Sequence, residues 1–365
     1  MPQPNILIIL TDQLRRQALS CYGDTNLQTP NIDALANSGA RFANSYSTYP
    51  ICVPARFTMI TGQYAHTRQI PGINWRMSPT ERTLADEFNE AGYDTAYVGK
   101  WHLYGGSGPP LMKRPVPRDH QGRWHKWLGF EFRNSHFDSV YFEDDDPTPR
   151  PLEPYQTDGC FSVAMDYLRD RPQPEKPFCC VVSVEPPHPP YEAPAELEEK
   201  WLQRDLDLPP NFMVSSEQEN SRINNVRQVS QDDREAVLRQ RQIYYAMVKN
   251  MDQNVGRMNA FLKEQRLDES TIIVFLSDHG ELGGAHGLRN KQLPYEESAG
   301  IPLIASGAGI PAGRVIDEPT CTEDFFPTLC GLAGISPRDN LPGEDLSPLI
   351  RGEKDHLNRD GVMLE

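Results

Sequence analysis

Three stretches of this chain, residues 6–10, 178–184 and 271–276, are almost wholly apolar and show no alternation of apolar and polar residues. A strand with one wet face alternates, so a run without alternation predicts a strand buried on both faces, as in a parallel sheet covered by helices. Residues 95–98 and 301–306 predict two more strands, and 41–46 a short one. Each long run ends in polar residues: Thr11-Asp12-Gln13, Glu185 followed by His188, and Ser277-Asp278-His279. The strand at 95–98 likewise runs into Gly99-Lys100-Trp101-His102. Open α/β sheets hold their ligands outside the carboxyl ends of their strands, so these residues are candidates by position. The predicted fold class is α/β, a large mostly parallel sheet flanked by helices on both faces.

Helical signals fall between the runs. Thr29-Pro30 predicts a helix start and Gly39 its stop, with Ile32, Leu35 and Ala36 on one face. Thr83 with Asp86 predicts a capping box for a helix ending at Gly92. Residues 230–265 carry Val237, Ile243, Tyr244, Met247, Met251, Val255, Met258 and Leu262 at helical spacing, which predicts one long helix or two successive ones packed on the sheet. A last helix is expected over 324–332, ended by Gly334. Residues 105–156, rich in Pro, Gly, Arg and aromatics, show little periodicity and read as an insertion over the sheet's end, a lid or substrate-facing loop. The polar stretch from 193 to 230 is expected on the surface.

Charge narrows the partners. Against 36 Lys and Arg stand 51 Asp and Glu, a net charge of −15, which argues against a nucleic-acid or anionic-membrane surface. An anion site in such a chain must be a local cationic pocket. The seven cysteines (21, 52, 160, 179, 180, 321 and 330) are odd in number and form no CxxC pair, so neither a disulfide framework nor a zinc finger is expected. The N-terminus has no basic region and 6–10 is too short for a signal or a membrane span, so a cytoplasmic protein without a membrane partner is expected; a chain trimmed of its leader would read the same.

Cys52-Val53-Pro54-Ala55-Arg56, followed by Thr61-Gly62, is the most chemically suggestive stretch. Pro54 suits the first turn of a helix, and a helix starting beside Cys52 would favour an anion there. A lone cysteine is ordinarily a buried structural thiol. Five strand ends or post-strand loops nevertheless carry useful side chains: Asp12 and Gln13; Cys52 and Arg56; Lys100 and His102; His188; and Asp278 and His279 with Lys291. Singly, the aspartates could be caps, the lysines solvated charges and the histidines structural. One α/β topology brings all of them to the same edge.

The ordered set resembles the formylglycine-dependent sulfatases of the alkaline phosphatase superfamily, over nearly the whole chain. Its residues are Pro4-Asn5-Ile6 with Thr11-Asp12, Thr29-Pro30-Asn31-Ile32-Asp33, Cys52-x-Pro54-x-Arg56 with Thr61-Gly62, Gly92-Tyr93, Gly99-Lys100-Trp101-His102, Pro187-His188, Asp252 with Val255-Gly256-Arg257, Ser277-Asp278-His279-Gly280, and Lys291 before Tyr295-Glu296-Glu297-Ser298. The resemblance implies that a generating enzyme oxidises Cys52 to formylglycine, whose hydrated aldehyde is the nucleophile. It implies that Asp12, Gln13, Asp278 and His279 bind one divalent cation, that Arg56 stabilises the deprotonated diol, and that Lys100 and Lys291 hold the sulfate oxygens. His188 becomes the acid that protonates the leaving oxygen, and His102 the base that lets the sulfated nucleophile eject sulfate.

Gln13 and His279 depart from the commonest ligand set, and resemble those of choline sulfatases and phosphonate monoester hydrolases. An imidazole ligand makes Mn²⁺ a competitor to Ca²⁺. Ala55 replaces a frequent serine. Asn74, Trp75 and Arg76, with residues of 105–156, are candidates for contacts to the leaving group, a sulfated small molecule or carbohydrate, and Asn74 is the one expected to bind substrate. The expected organisation is a catalytic domain over 1–350 and, at 351–365, the start of a C-terminal subdomain that the family continues and this chain lacks or truncates. Two other functions fit the same residues: hydrolysis of a phosphonate monoester or phosphodiester, and non-catalytic anion binding with Cys52 unconverted.

Overall fold

The structure is a computed structural model describing residues 3–106, 114–212, 226–229, 233–338, 340–357 and 359–365. Its strands, in chain order, are β1 (Asn5–Asp12), β2 (Gly39–Phe42), β3 (Ser45–Tyr46), β4 (Asp94–Lys100), β5 (Lys126–Phe130), β6 (Val140–Glu143), β7 (Asp146–Pro151), β8 (Phe178–Pro187), β9 (Val226–Gln228), β10 (Thr271–Ser277), β11 (Leu288–Asn290), β12 (Leu303–Gly307), β13 (Arg314–Ile316) and β14 (Thr320–Cys321). Among the described residues ten of them form one sheet in the order β13-β2-β12-β10-β1-β8-β4-β5-β6-β7. The five central strands, β10-β1-β8-β4-β5, all run parallel. The flanks are mixed, since β12 is antiparallel to both of its neighbours and β6 and β7 return as an antiparallel pair.

Both faces of the centre are covered, which is why the runs do not alternate. In β1, Ile6, Ile8 and Leu10 join one core with Val53, Phe57, Phe88 and Leu329, while Leu7 and Ile9 join the other with Ile32, Phe161, Met247 and Met258. The helices behind these residues are α1 (Pro30–Asn37), α2 (Cys52–Thr61), α3 (Leu84–Glu90), α4 (Gln156–Arg169), α5 (Ala195–Leu202), α6 (Arg234–Glu264), α7 (Glu296–Ala299), α8 (Phe325–Ala333) and α9 (Ser347–Ile350). Each fully buried Leu, Ile or Phe contributes about 1.5–3 kcal/mol, so the sandwiched sheet is the main source of stability.

The 230–265 pattern is a single helix of 31 residues within its described part, α6, with the expected stripe buried. Asp252 on it accepts the N–H groups of Asn31 (2.9 Å) and Ile32 (3.0 Å), so the distant helix α6 caps the start of α1. The capping box of Thr83 and Asp86 is present.

Three local readings change. Gly39 does not stop α1, which ends at Asn37 under a Ser38 cap; it opens β2, where a Cβ would sit 2.1 Å from the Ala305 carbonyl oxygen. Residues 105–156 are more than a loop: β5, β6 and β7 extend the sheet, their signal blurred because β7 (Asp-Pro-Thr-Pro-Arg-Pro) is an edge strand, where proline is tolerated. Positions 107–113 of that stretch lie outside the described residues. The polar stretch at 193–230 contains α5, which buries Trp201 against Tyr245; positions 213–225 and 230 lie outside the described residues. No described helix is long and apolar enough to cross a membrane.

Candidate active site

The parallel centre carries the carboxyl ends of β1, β4, β8 and β10 to one edge. Asp12 is the last residue of β1, Lys100 the last of β4, and Asp278 follows β10. Two hydrogen bonds lock β1 to β10 there: Asp278 N–H donates to the Thr11 carbonyl (3.1 Å), and Gln13 N–H donates to the Asp278 side chain at Oδ1 (3.1 Å). Helix α2 starts at Cys52 beside this edge, with Pro54 in its first turn, where its missing N–H costs nothing. Arg56, one turn further on, faces the same way.

Arg56 ties the carboxylates together. Its Nε donates to Asp278 Oδ2 (2.9 Å) and its Nη2 to Asp12 Oδ2 (3.2 Å), while Nη1 donates to the Lys100 carbonyl (3.0 Å) and Ser183 Oγ (2.9 Å). The guanidinium is 1% exposed, so all of this happens out of water. Lys100 Nζ lies 2.8 Å from Asp12 Oδ2. Burial by itself would raise the Asp12 pKa, but Lys100, with His188, Arg56 and His279, holds it well below the usual carboxylate range. For Asp278 the balance reverses. Burial and repulsion from Asp12 push it up to about 7 against Arg56, Lys100 and Lys291.

Cys52 completes the cluster. Its Sγ lies 3.2 Å from His279 Nε2 and 3.7 Å from Asp12 Oδ1. His279 donates Nδ1–H to the Gly280 carbonyl (3.0 Å), which turns the Nε2 lone pair towards the sulfur and the two carboxylates. Burial and Lys291 hold that imidazole neutral, its pKa well below the usual value. The Cys52 thiol, raised to about 12 by burial and then by Asp12, stays protonated, so the unmodified cysteine is a weak nucleophile. One ligand atom from each of Asp12, Cys52, Asp278 and His279 lies within 4.8 Å of the others, all four residues buried. Two carboxylates and an imidazole whose free nitrogen faces them fit a divalent cation, whose charge would offset the repulsion that raises Asp278.

The remaining candidates line the space above this cluster. A cavity of ≈ 290 Å³ is lined by Cys52, Asn74, Lys100, His102, His188 and Lys291, so six of the residues singled out in the sequence meet there. His102 has a positive φ of 57° and a buried Nδ1 without a partner; burial, then Lys100 and Arg56, keep the ring neutral. His188 donates Nδ1–H to the Pro189 carbonyl (2.6 Å), and burial and Lys291 lower its pKa as well. Gln13 follows Asp12 at the same edge; its amide oxygen accepts from Lys291 Nζ and its Nε2 donates to Glu281. Trp75 and Arg76 are exposed and do not line the cavity; Arg76 lies over the Tyr104 ring, 4.1 Å from its centroid.

A family model described as Sulfatase matches residues 4–335. The chain belongs to the sulfatase family. This sulfatase is similar to the ulvan-active sulfatase of Formosa agariphila, 32% identical over 99% of this chain and 68% of that one. It is also similar to an arylsulfatase of Clostridium perfringens, 31% identical over 99% of this chain and 81% of the relative. The crystal structure of a sulfatase from Bacteroides fragilis superposes with a TM-score of 0.85 at 27% identity, covering 98% of this chain and 80% of that one. The fold is therefore that of the alkaline phosphatase superfamily, and the sulfatase hydrolyses sulfate esters.

Several residues position the sulfatase's site in roles that the sequence does not reveal. Glu185, wholly buried, accepts from Lys100 Nζ (3.2 Å), from Gln156 Nε2 (3.1 Å) and from the backbone N–H groups of Arg133 and Asn134. It ties Lys100 to the loop that brings Phe132 and Asn134 to the cavity wall. Glu131 accepts the N–H groups of Tyr104 and Gly105, holding the segment that follows His102. Glu281 accepts from Gly283 and Asn290 N–H and steadies Gln13. Glu185 also ends an apolar run, and that place was its one available signal.

Proposed function

We propose that this sulfatase cleaves a sulfate monoester of a carbohydrate through a formylglycine made from Cys52 by a generating enzyme, with one Ca²⁺ or Mn²⁺ held by Asp12, Asp278, His279 and Gln13. The observation that carries the reading is Cys52 itself. Its sulfur sits among the carboxylates and the imidazole, yet its thiol is raised to about 12. A nucleophile at that point needs a different functional group, and a hydrated aldehyde supplies a hydroxyl in the same place. The cation would neutralise both carboxylates and polarise a sulfate oxygen.

The chain's own residues then divide the work. Arg56, locked by four hydrogen bonds, holds Asp12 and Asp278 in place and stabilises negative charge on the diol. Lys100 and Lys291 bind the sulfate oxygens from the cavity wall. His102, kept neutral and lining the same cavity as Cys52, takes a proton from the nucleophile's second hydroxyl. His188 delivers a proton to the leaving oxygen once the substrate's negative charge has raised its pKa. Asn74, with Asn134 and Phe132, offers the leaving group amides and an apolar face. A polar wall of this kind suits a sugar, and the ulvan-active relative supports that class.

Intact mass tests the conversion, because formylglycine carries an aldehyde oxygen in place of the Cys52 sulfur and has two fewer hydrogens than the serine that a simple sulfur-for-oxygen exchange would give. Paired rates on a sulfated sugar, an aryl sulfate and an aryl phosphonate monoester test the reaction. Release of sulfate only from protein carrying the mass change is expected; full activity with an intact Cys52 would overturn the formylglycine reading, and faster phosphonate cleavage would overturn the substrate.

A further inference from the structure

Beside the reaction cavity lies a second one of ≈ 360 Å³, which shares His188 and Lys291 with it and continues past them to Tyr191, Gln240, Arg289 and Asn290. Arg289 is the unexplained residue there. It donates Nη1–H to Gln240 Oε1 on α6 (2.9 Å), and its Nε is buried without a partner. Among the described residues no carboxylate forms an ion pair with it, although the chain as a whole carries a net charge of −15. A half-buried guanidinium without a counter-ion among the described residues offers donors in a fork suited to a carboxylate or sulfate.

Its backbone is held firmly. Arg289 is the middle residue of β11, which pairs antiparallel with β9, and on the other side Leu282 N–H donates to the Asn290 carbonyl (2.7 Å) and Gly284 N–H to the Leu288 carbonyl (2.8 Å). The guanidinium is thus pre-placed two residues from Lys291, which needs little ordering when a ligand binds.

We propose that this second cavity is an anion subsite: Arg289 binds a second negatively charged group, sulfate or carboxylate, on the substrate whose scissile sulfate lies between Lys100 and Lys291. The inference rests on the sulfate-ester reading above and narrows it to sugars that carry two anionic groups. Gln240 is the positioning residue, aiming the guanidinium into the cavity.

Equilibrium binding tests it in the full-length Cys52→Ala protein, which turns nothing over, with and without Arg289→Gln. The probes are a monosulfated disaccharide, the same disaccharide with a second sulfate, and the same with a uronic acid in place of its neutral sugar. At least one dianionic probe should bind roughly tenfold tighter than the monosulfated one, as one charged hydrogen-bonded contact provides, and Arg289→Gln should remove that gain. The ratio between probes is read within one preparation, so partial misfolding cancels. The gain should also shrink at high salt. Equal binding of all three probes, or a gain that survives Arg289→Gln, overturns the subsite while leaving the hydrolase reading intact. Failure to bind any of the three overturns both, whereas failure of the unmutated protein to release sulfate, with the gain present, overturns hydrolysis alone.

Discussion

Cys52 Sγ lies 3.2 Å from His279 Nε2, across 227 residues of sequence. The thiol donates to the nitrogen that His279 leaves free by giving its Nδ1 proton to the Gly280 carbonyl. The same nitrogen lies 3.5 Å from Asp12 Oδ1 and from Asp278 Oδ1, so one imidazole connects the prospective nucleophile to both carboxylates.

Replacing Cys52 with alanine should lower kcat by at least about 10⁴-fold, since removal of a nucleophile leaves only binding and electrostatic stabilisation. The side chain is small and its loss should cost about 1 kcal/mol in stability. Sulfate release and thermal unfolding check the two halves; substantial turnover would sink the assignment.

Chelation should expose the repulsion between the carboxylates. Asp278, raised from 3.8 to about 7 by burial and by Asp12, binds its proton more tightly folded than unfolded. Its stabilising protonation is complete below about pH 4 and is lost as pH rises through about 7, because the folded state then binds more protons than the unfolded chain. Chelated protein should therefore melt progressively lower over this window, and added Ca²⁺ or Mn²⁺ should restore Tm most at its upper end. A Tm that no divalent ion moves would count against the cation site.

His188→Ala should separate substrates by their leaving groups. A sugar alkoxide needs a proton as it departs, so kcat/KM on a sulfated sugar should drop about 10²–10⁴-fold. An activated aryl sulfate departs as a stabilised phenolate and should lose far less. Equal losses on both would assign His188 to sulfate binding instead.

Glu185→Gln should act through Lys100. The ammonium, 3.2 Å from Glu185 Oε1, is wholly buried, and removing one partner of a buried pair costs about 3 kcal/mol. Urea unfolding should show that loss, and KM should rise because Lys100 is less firmly aimed. Unchanged stability would mean that Asp12 alone, 2.8 Å away, compensates Lys100.

Local pattern by itself determined the frame. The runs at 6–10, 178–184 and 271–276 read as doubly buried strands because hydrophobicity without alternation has one simple packing solution. Parallel order then put Asp12, Lys100, His188 and Asp278 at one edge, and the ordered motifs carried the family. The sequence was weakest where signals were short or shared. The edge strands β5 to β7 carry prolines and few apolar residues, and Gly39 looked the same as a helix stop or as a close strand contact.

Tertiary structure alone decided the electrostatics and the hydrogen bonds that support the site's side chains. Whether Asp12 or Asp278 keeps its proton depends on which cations lie near each carboxylate. The free nitrogen of His279 depends on one carbonyl. Glu185, Glu281 and Arg289 gain meaning only from partners brought to them by the fold, such as Lys100, Gln13 and Gln240. Burial and charge act through distance in space, and a linear sequence carries that distance only where regular elements impose it.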